Sequence, residues 1–240
     1  MALAAWQQVA PALPAPACIA GYSVGELAAF SAAGVFDADA ALDLAGQRAA
    51  AMDRCAEGTP GGLLAVSGLV SAAIDRLCAS TGVAVAIRNG ATSVVLGGPC
   101  ERFDEAERMA SALGGRCTRL RIGIASHTPW MRAAADEFGK VLADVRCDAP
   151  GTVLFGNACD RVRDSAGARQ ALSAQIASTV RWDECMESIR ARGVACVLEI
   201  GPGQALARLC NERYPDIPAR SCDVFRGVAS IANWVARCCR

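Results

Sequence analysis

The chain has 240 residues, 53% hydrophobic and 20% charged, with 24 basic side chains balanced by 24 acidic ones. That is enough apolar material for one large core with a smaller lobe, and the zero net charge gives no footing for nucleic acid or an anionic membrane surface. Thirteen cysteines with no C-x-x-C pair, and a single histidine, argue against zinc ligation and for small buried hydrophobes in a reducing compartment.

In chain order, residues 1–10 read as the end of a helix, followed by a Pro-rich loop from Pro11 to Pro16. The start is apolar but lacks the basic residues of a signal peptide, and apolar stretches such as Gly61 to Ala73 are short and broken by glycine, so a soluble cytoplasmic protein is expected. Ala17-Cys18-Ile19-Ala20 predicts a strand. Gly21-Tyr22-Ser23-Val24-Gly25-Glu26 is a turn, and Leu27 to Ala33 is a helix closed by Gly34. Asp37 caps a second helix to about Ala56, with Gly58 ending it.

From Gly61 the texture changes. Strands are predicted at Leu63–Val66, Val83–Ile87, Ser93–Leu96 and Cys117–Ile122, with helices at Ser71–Ser80 and Pro99–Leu113 and a turn at Asn89-Gly90. This β-α-β-β-α-β order is that of a ferredoxin-like unit, placed at residues 59–123. The main body, 1–58 and 124–240, then resumes with helices at Thr128–Ala143, Asp164–Ser178, Asp183–Arg192 and Ala205–Arg213. Strands at Val153–Gly156 and Val194–Ile200, the latter buried, complete an α/β pattern with a mainly parallel sheet.

Strand, sharp turn, helix is the context a G-x-S-x-G nucleophile elbow needs, and Gly21 and Gly25 leave room for it. Ser23 at the apex lies near a helix N-terminus, where backbone N–H groups favour developing negative charge, and Glu26 suits the same dipole. A plain Gly/Ser turn is the alternative. A serine nucleophile needs a base, and the one histidine, His127, follows Ile124-Ala125-Ser126 at a second strand-to-helix junction. The alternative is a capping or core histidine. Leu44, Arg48 and Met52 share a helix face, so Arg48 points inward and requires an anion, either a protein carboxylate or one on a substrate.

Taken together, Gly21 to Glu26, Arg48 followed by Met52, Ser126-His127 and Glu199-Ile200-Gly201-Pro202-Gly203 resemble the malonyl-CoA:acyl carrier protein transacylases. The Gly-Tyr-Ser-Val-Gly-Glu-Leu-Ala-Ala-Phe and Ala-Ser-His-Thr-Pro-Trp-Met runs are most similar to one branch, the transacylase (epsilon) subunit of biotin-independent malonate decarboxylase. The resemblance implies an α/β-hydrolase-like core with an inserted ferredoxin-like lobe. It implies that Ser23 is malonylated, that His127 is general base and acid, and that Arg48 binds the malonyl carboxylate. It further implies that the Val24 N–H forms half of the oxyanion hole and that the backbone carbonyl of Gln175 orients the histidine in place of an aspartate. No metal and no tightly bound cofactor are implied. Malonyl-CoA is the substrate, and an acyl carrier protein with a pantetheine-type group is the partner, together with other malonate decarboxylase subunits.

Two departures accompany the resemblance. Tyr22 stands where most of the family has histidine, and the family's Gly-Gln-Gly loop, which supplies a second oxyanion donor, has no counterpart before the elbow. The expected activity is therefore malonyl transfer. A serine esterase or thioesterase, and a non-catalytic carrier-binding subunit, stand as rivals.

Overall fold

The computed structural model describes residues 1–58 and 60–240, so the boundary expected at residue 59 lies outside the described residues. Helix α1 (Ala2–Val9) leads through a 3-10 turn to β1 (Ile19–Ala20), only two residues long, and then to the turn that opens α2 (Gly25–Ala32). A Cβ at Gly21 would sit 2.3 Å from the Gly25 carbonyl oxygen, so this turn admits only glycine there. Gly25 is different from expectation: an added Cβ would meet nothing, so its absence of side chain is not a steric requirement. Gly34, at φ 84°, reverses the chain after α2. The Asp37 carboxylate then accepts the Ala40 N–H at 2.8 Å and caps α3 (Ala38–Ala56).

The next stretch carries β2 (Gly61–Ser67), α4 (Ser71–Thr81), β3 (Ala84–Gly90), β4 (Ser93–Pro99), α5 (Phe103–Ala112) and β5 (Arg116–Arg119). Its strands run antiparallel in the order β5-β2-β4-β3. The hairpin does not turn at Asn89-Gly90 as the sequence suggested. Gly90 pairs with Ser93, so the loop is Ala91-Thr92, and a register shift between Arg88 and Gly90 carries Asn89 within the strand. Side-chain alternation then divides the sheet's two faces. Leu64, Val66, Val94 and Leu96 pack with Leu77 and Phe103 of the helices, while Leu63, Ile87 and Val95 meet Phe155, Val180 and Trp182 of the remaining chain.

Beyond β5, a 3-10 turn at Pro129–Met131 precedes α6 (Arg132–Asp144), so the expected single helix from Thr128 begins in two steps. There follow β6 (Leu154–Phe155), β7 (Arg161–Val162), α7 (Ser165–Ala174), β8 (Val180–Arg181) and α8 (Trp182–Ala191). The chain closes with β9 (Val197–Glu199), α9 (Ala205–Arg213), β10 (Ala219–Ser221) and α10 (Val228–Cys238). The expected mainly parallel sheet is present only as short pairs. β1 pairs with β6 and β9 with β10 in parallel, whereas β6 meets β7 antiparallel. The reason is strand length: each of these strands holds two or three residues, and β1 stops at the Gly21 turn. β9 is half-buried rather than buried.

The fold is thus a mixed α/β structure, and β8 fastens its parts. Val180 and Arg181 add in parallel to Ile87 and Arg88 of β3, and the Thr179 hydroxyl donates to the Val85 carbonyl at 2.7 Å. The largest core lies among α2, α3, α6 and α7, around Phe30, Leu44, Phe138, Leu142, Leu172 and Ile176. No helix among the described residues is long and apolar enough to cross a membrane.

Candidate active site

Ser23 sits between β1 and α2 with φ 53°, and His127 sits between β5 and α6 with φ 63°. These are the only non-glycine residues with positive φ among those described, and such backbone strain concentrates at functional sites. The two side chains meet: Ser23 Oγ lies 2.6 Å from His127 Nε2. On the other edge of the ring, His127 Nδ1 lies 2.6 Å from the Gln175 carbonyl oxygen. A carbonyl can only accept, so Nδ1 carries the proton and Nε2 presents its lone pair to the serine hydroxyl. The His127 N–H also donates to the Ile176 carbonyl at 2.9 Å, so one short segment fixes both ring and backbone.

His127 is 2% exposed. Burial pushes its pKa down to about 4, against the pull of the Gln175 carbonyl and with help from the Arg48 cation. The imidazole is therefore neutral at physiological pH, the state a general base needs. The segment that carries it lies close against the antiparallel sheet. A Cβ at Gly61 would come 2.8 Å from the Ala125 nitrogen, and one at Gly97 would come 2.8 Å from the Thr128 methyl.

Arg48 is 6% exposed, on the same α3 face as buried Leu44 and Met52. It reaches the site, donating from Nη2 to the Gln175 side-chain oxygen at 3.3 Å. Of the two partners left open by the sequence, a protein carboxylate is not observed: among the described residues Arg48 forms no ion pair. Its Nε has no hydrogen-bond partner, and burial lowers its pKa to about 10. The acid whose charge acts on Arg48 is Glu26, 0% exposed, with Oε1 taken by the Asn157 N–H at 2.6 Å and Oε2 unpartnered. Burial raises the Glu26 pKa to about 8 despite the Asn157 N–H and the charge of Arg48. A carboxyl group held neutral leaves the guanidinium charge uncompensated, close enough to His127 to lower its pKa.

Gln175 enters the site twice. Beside its backbone contact to His127, its side-chain amide nitrogen donates to the Ser23 carbonyl at 3.2 Å while its oxygen accepts from Arg48. Val24 is 55% exposed, its N–H one residue past the nucleophile at the start of α2 and without a partner among the described residues. Tyr22 packs edge-on against Trp182 with ring centroids 5.3 Å apart, and its hydroxyl donates to Asn89 at 3.1 Å. The elbow is thereby tied to β3.

Two residues of the site were not anticipated in these positions. Asn157 follows β6 and contacts both Ser23 and Gly21. Glu26 was read as a partner of the helix dipole, whereas it lies wholly inside. The only advance signal for Asn157 was its place at the end of a strand parallel to the elbow strand, where sites of α/β folds gather. Among the described residues, no group of three or more His, Cys, Asp or Glu side chains is arranged to hold a metal ion.

Residues 1–225 match the acyl transferase domain family. A malonyl CoA-acyl carrier protein transacylase of Mycobacterium bovis is 30% identical over 218 residues, covering 90% of this chain and 71% of its own length. An acyl-carrier-protein S-malonyltransferase from Burkholderia pseudomallei superposes with a TM-score of 0.91 at 31% identity, over 98% of this chain and 78% of that one. A malonyl-transacylase solved in complex with a type II PKS acyl-carrier protein superposes with a TM-score of 0.90 at 28% identity, over 97% and 76% of the two chains.

Proposed function

The chain belongs to the acyl transferase domain family, among the malonyl-CoA:acyl carrier protein transacylases, and from that membership we propose that it moves a malonyl group from malonyl-CoA to the thiol of an acyl carrier protein through a malonyl ester on Ser23. The observation that carries this reading is the 2.6 Å approach of Ser23 Oγ to His127 Nε2, with the unpaired Arg48 cation beside it.

In the first half-reaction Ser23 Oγ attacks the thioester carbonyl carbon and His127 Nε2 takes its proton. The negative charge on the former carbonyl oxygen is met by the Val24 N–H at the start of α2; a donor of this kind is worth ~10²–10³ in rate. The carbon–sulfur bond breaks, the CoA sulfur takes the proton back from the imidazolium, and the malonyl ester remains. Throughout, the Gln175 carbonyl steadies the imidazolium as an aspartate would, with less charge stabilisation. In the second half-reaction the carrier thiol gives its proton to His127 and attacks the ester, and Ser23 recovers the proton as the ester bond breaks. Arg48 grips the free carboxylate of the malonyl group, which is why this site prefers malonyl to acetyl.

The finer placement rests on the elbow itself. Tyr22, in Gly-Tyr-Ser-Val-Gly-Glu, supports assignment to the branch that serves malonate decarboxylase, whose other subunits are then its partners. We assign residues 1–58 and 124–240 to an α/β-hydrolase-like core and 59–123 to a ferredoxin-like lobe, with cytoplasmic location and no resident cofactor.

Intact-mass spectrometry after mixing with malonyl-CoA tests the proposal. A malonyl adduct on Ser23 that passes to a carrier protein, and is absent from Ser23→Ala, is expected. Adduct on another residue, or release of malonate to water at the rate of transfer, would overturn it.

A further inference from the structure

We propose that Asn157 is the positioning residue of the nucleophile, the group that holds Ser23 in its left-handed conformation, and that it is itself held in register by buried Glu26. This rests on Ser23 being the acylated residue. Asn157 is 0% exposed, and each of its backbone and side-chain polar groups is engaged. Its side-chain oxygen accepts the Ser23 N–H at 2.7 Å, and its amide nitrogen donates to the Gly21 carbonyl at 2.7 Å. Its backbone N–H donates to Glu26 Oε1 at 2.6 Å, and its backbone carbonyl accepts the Arg181 N–H at 3.1 Å. The amide orientation is fixed by its partners. Turned over, it would set donor against donor at Ser23 and acceptor against acceptor at Gly21.

One planar group thus brackets the elbow at two residues, Gly21 and Ser23, on either side of Tyr22. A serine at φ 53° needs such restraint, because L-residues leave the left-handed region unless their surroundings over-determine it. The bracket also has a chemical consequence. With the Ser23 N–H occupied by Asn157, that group is unavailable to an oxyanion, which leaves the next N–H, that of Val24. The second backbone group of Ser23, its carbonyl, accepts both the Glu26 N–H at 3.0 Å and the Gln175 amide at 3.2 Å. The nucleophile's main chain is therefore clamped from both sides by side chains from two separate segments, and only Oγ is left free to react.

Asn157 touches neither the malonyl group nor the reacting atoms, so its loss should act on rate and not on substrate binding. Misplacing a reacting group by about 1 Å costs on the order of 10²-fold. Asn157→Ala should lower the maximal rate of Ser23 malonylation by roughly 10- to 100-fold, with the half-saturating malonyl-CoA concentration changed less than about twofold. Asn157→Asp supplies a sharper readout. A protonated carboxyl can accept from the Ser23 N–H and donate to the Gly21 carbonyl, as the amide does; an ionised one repels that carbonyl. The titratable and charged groups around this position are Glu26 from α2, Arg48 from α3, His127, Cys159 from the turn between β6 and β7, Arg181 of β8 and Cys185 of α8. Burial of the site favours the protonated acid against the pull of Arg48 and Arg181, Glu26 being itself uncharged below about pH 8, and His127 remains an unprotonated base well below neutrality.

The experiment is rapid-quench intact-mass measurement of Ser23 malonylation for the wild type, Asn157→Ala and Asn157→Asp between pH 6 and 8.5, with thermal unfolding of each. Expected is a wild-type rate that does not rise on acidification, a uniformly slow Asn157→Ala, and an Asn157→Asp that recovers at least tenfold toward pH 6. Wild-type rates in Asn157→Ala, or an Asn157→Asp profile parallel to that of the wild type, would overturn the positioning role while leaving the malonyl-serine reading intact. Should Asn157→Ala not fold, the Asn157→Asp profile decides alone. Absence of any Ser23 adduct in the wild type would remove the proposed function and this inference with it.

Discussion

The side-chain amide of Gln175 donates to the carbonyl oxygen of Ser23 at 3.2 Å, so the residue whose main chain orients the base also grips the main chain of the nucleophile. Substitution can remove the second contact and not the first. Gln175→Ala should therefore retain the wild-type pH dependence of acylation, because the carbonyl facing His127 persists. It leaves Arg48 Nη2 without its partner, while the Ser23 carbonyl keeps the Glu26 N–H at 3.0 Å, at a cost of roughly 1–3 kcal/mol in folding stability. Urea unfolding and acylation rates against pH check both halves. A pH profile displaced from that of the wild type would show that the side chain, not the carbonyl, governs the histidine.

Arg48 separates a malonyl transferase from a general serine acyltransferase. Arg48→Ala should lower kcat/KM for malonyl-CoA by roughly 30- to several-thousand-fold, the equivalent of about 2–5 kcal/mol for a buried charge pair broken on one side. Acetyl-CoA should lose nothing, and gains if removing an uncompensated buried cation relieves the site. Equal losses for both thioesters would make Arg48 a structural residue.

His127 links rate to stability. His127→Ala should slow malonylation by several orders of magnitude, since general-base help and imidazolium orientation vanish together. Unfolded, a histidine binds a proton near pH 6.5; folded, this one does so only near pH 4. Between those values the unfolded chain holds more protons, so stability falls as pH drops through that window, by about 3 kcal/mol in full. His127→Ala should become relatively more stable on going from pH 7 to pH 5 than the wild type does, because Glu26 acts with the opposite sign over the same span, as urea midpoints of both proteins at the two pH values would show.

Glu26 has the opposite sign. Its carboxyl ordinarily ionises near pH 4.5, but in the fold it keeps its proton to about pH 8. Over that span the folded state binds more protons, so stability falls as pH rises. From pH 6.5 to 8, above the histidine window, the contribution is about 2 kcal/mol. Glu26→Gln should flatten the slope there. An unchanged slope would mean that Glu26 is ionised in the native state at neutral pH.

How much of this was legible in the sequence depends on what each residue has to signal. Ser23 sits in a spaced motif, His127 has no competitor of its type, and Arg48 interrupts an apolar helix face; each carries its placement in local pattern. Asn157 and Glu26 carry none. An asparagine after a two-residue strand reads as loop, and a glutamate in a first helical turn reads as solvent-facing, because what engages each is more than a hundred residues away: the elbow for Asn157, and the β6 end for Glu26. The same applies to β8. Val180-Arg181 is too short to show periodicity, and its pairing with β3 is dictated by the tertiary packing of Trp182 and Val180. Asn89-Gly90 misled for a related reason: the preference of that dipeptide for a tight turn yields to a register in which Asn89 can meet Tyr22.

The left-handed backbones of Ser23 and His127 also bear on how such a protein can be improved. Each such conformation costs an L-residue roughly 1–2 kcal/mol that glycine would not incur. At His127 the loss of a buried, hydrogen-bonded ring outweighs that gain, but at Ser23, a small side chain on the elbow, Ser23→Gly removes a local penalty where the hydroxyl is indispensable. A laboratory evolution campaign that screened only for survival of heating would be drawn toward it, and its hardiest descendants would be inert. Any such screen must score turnover in the same round.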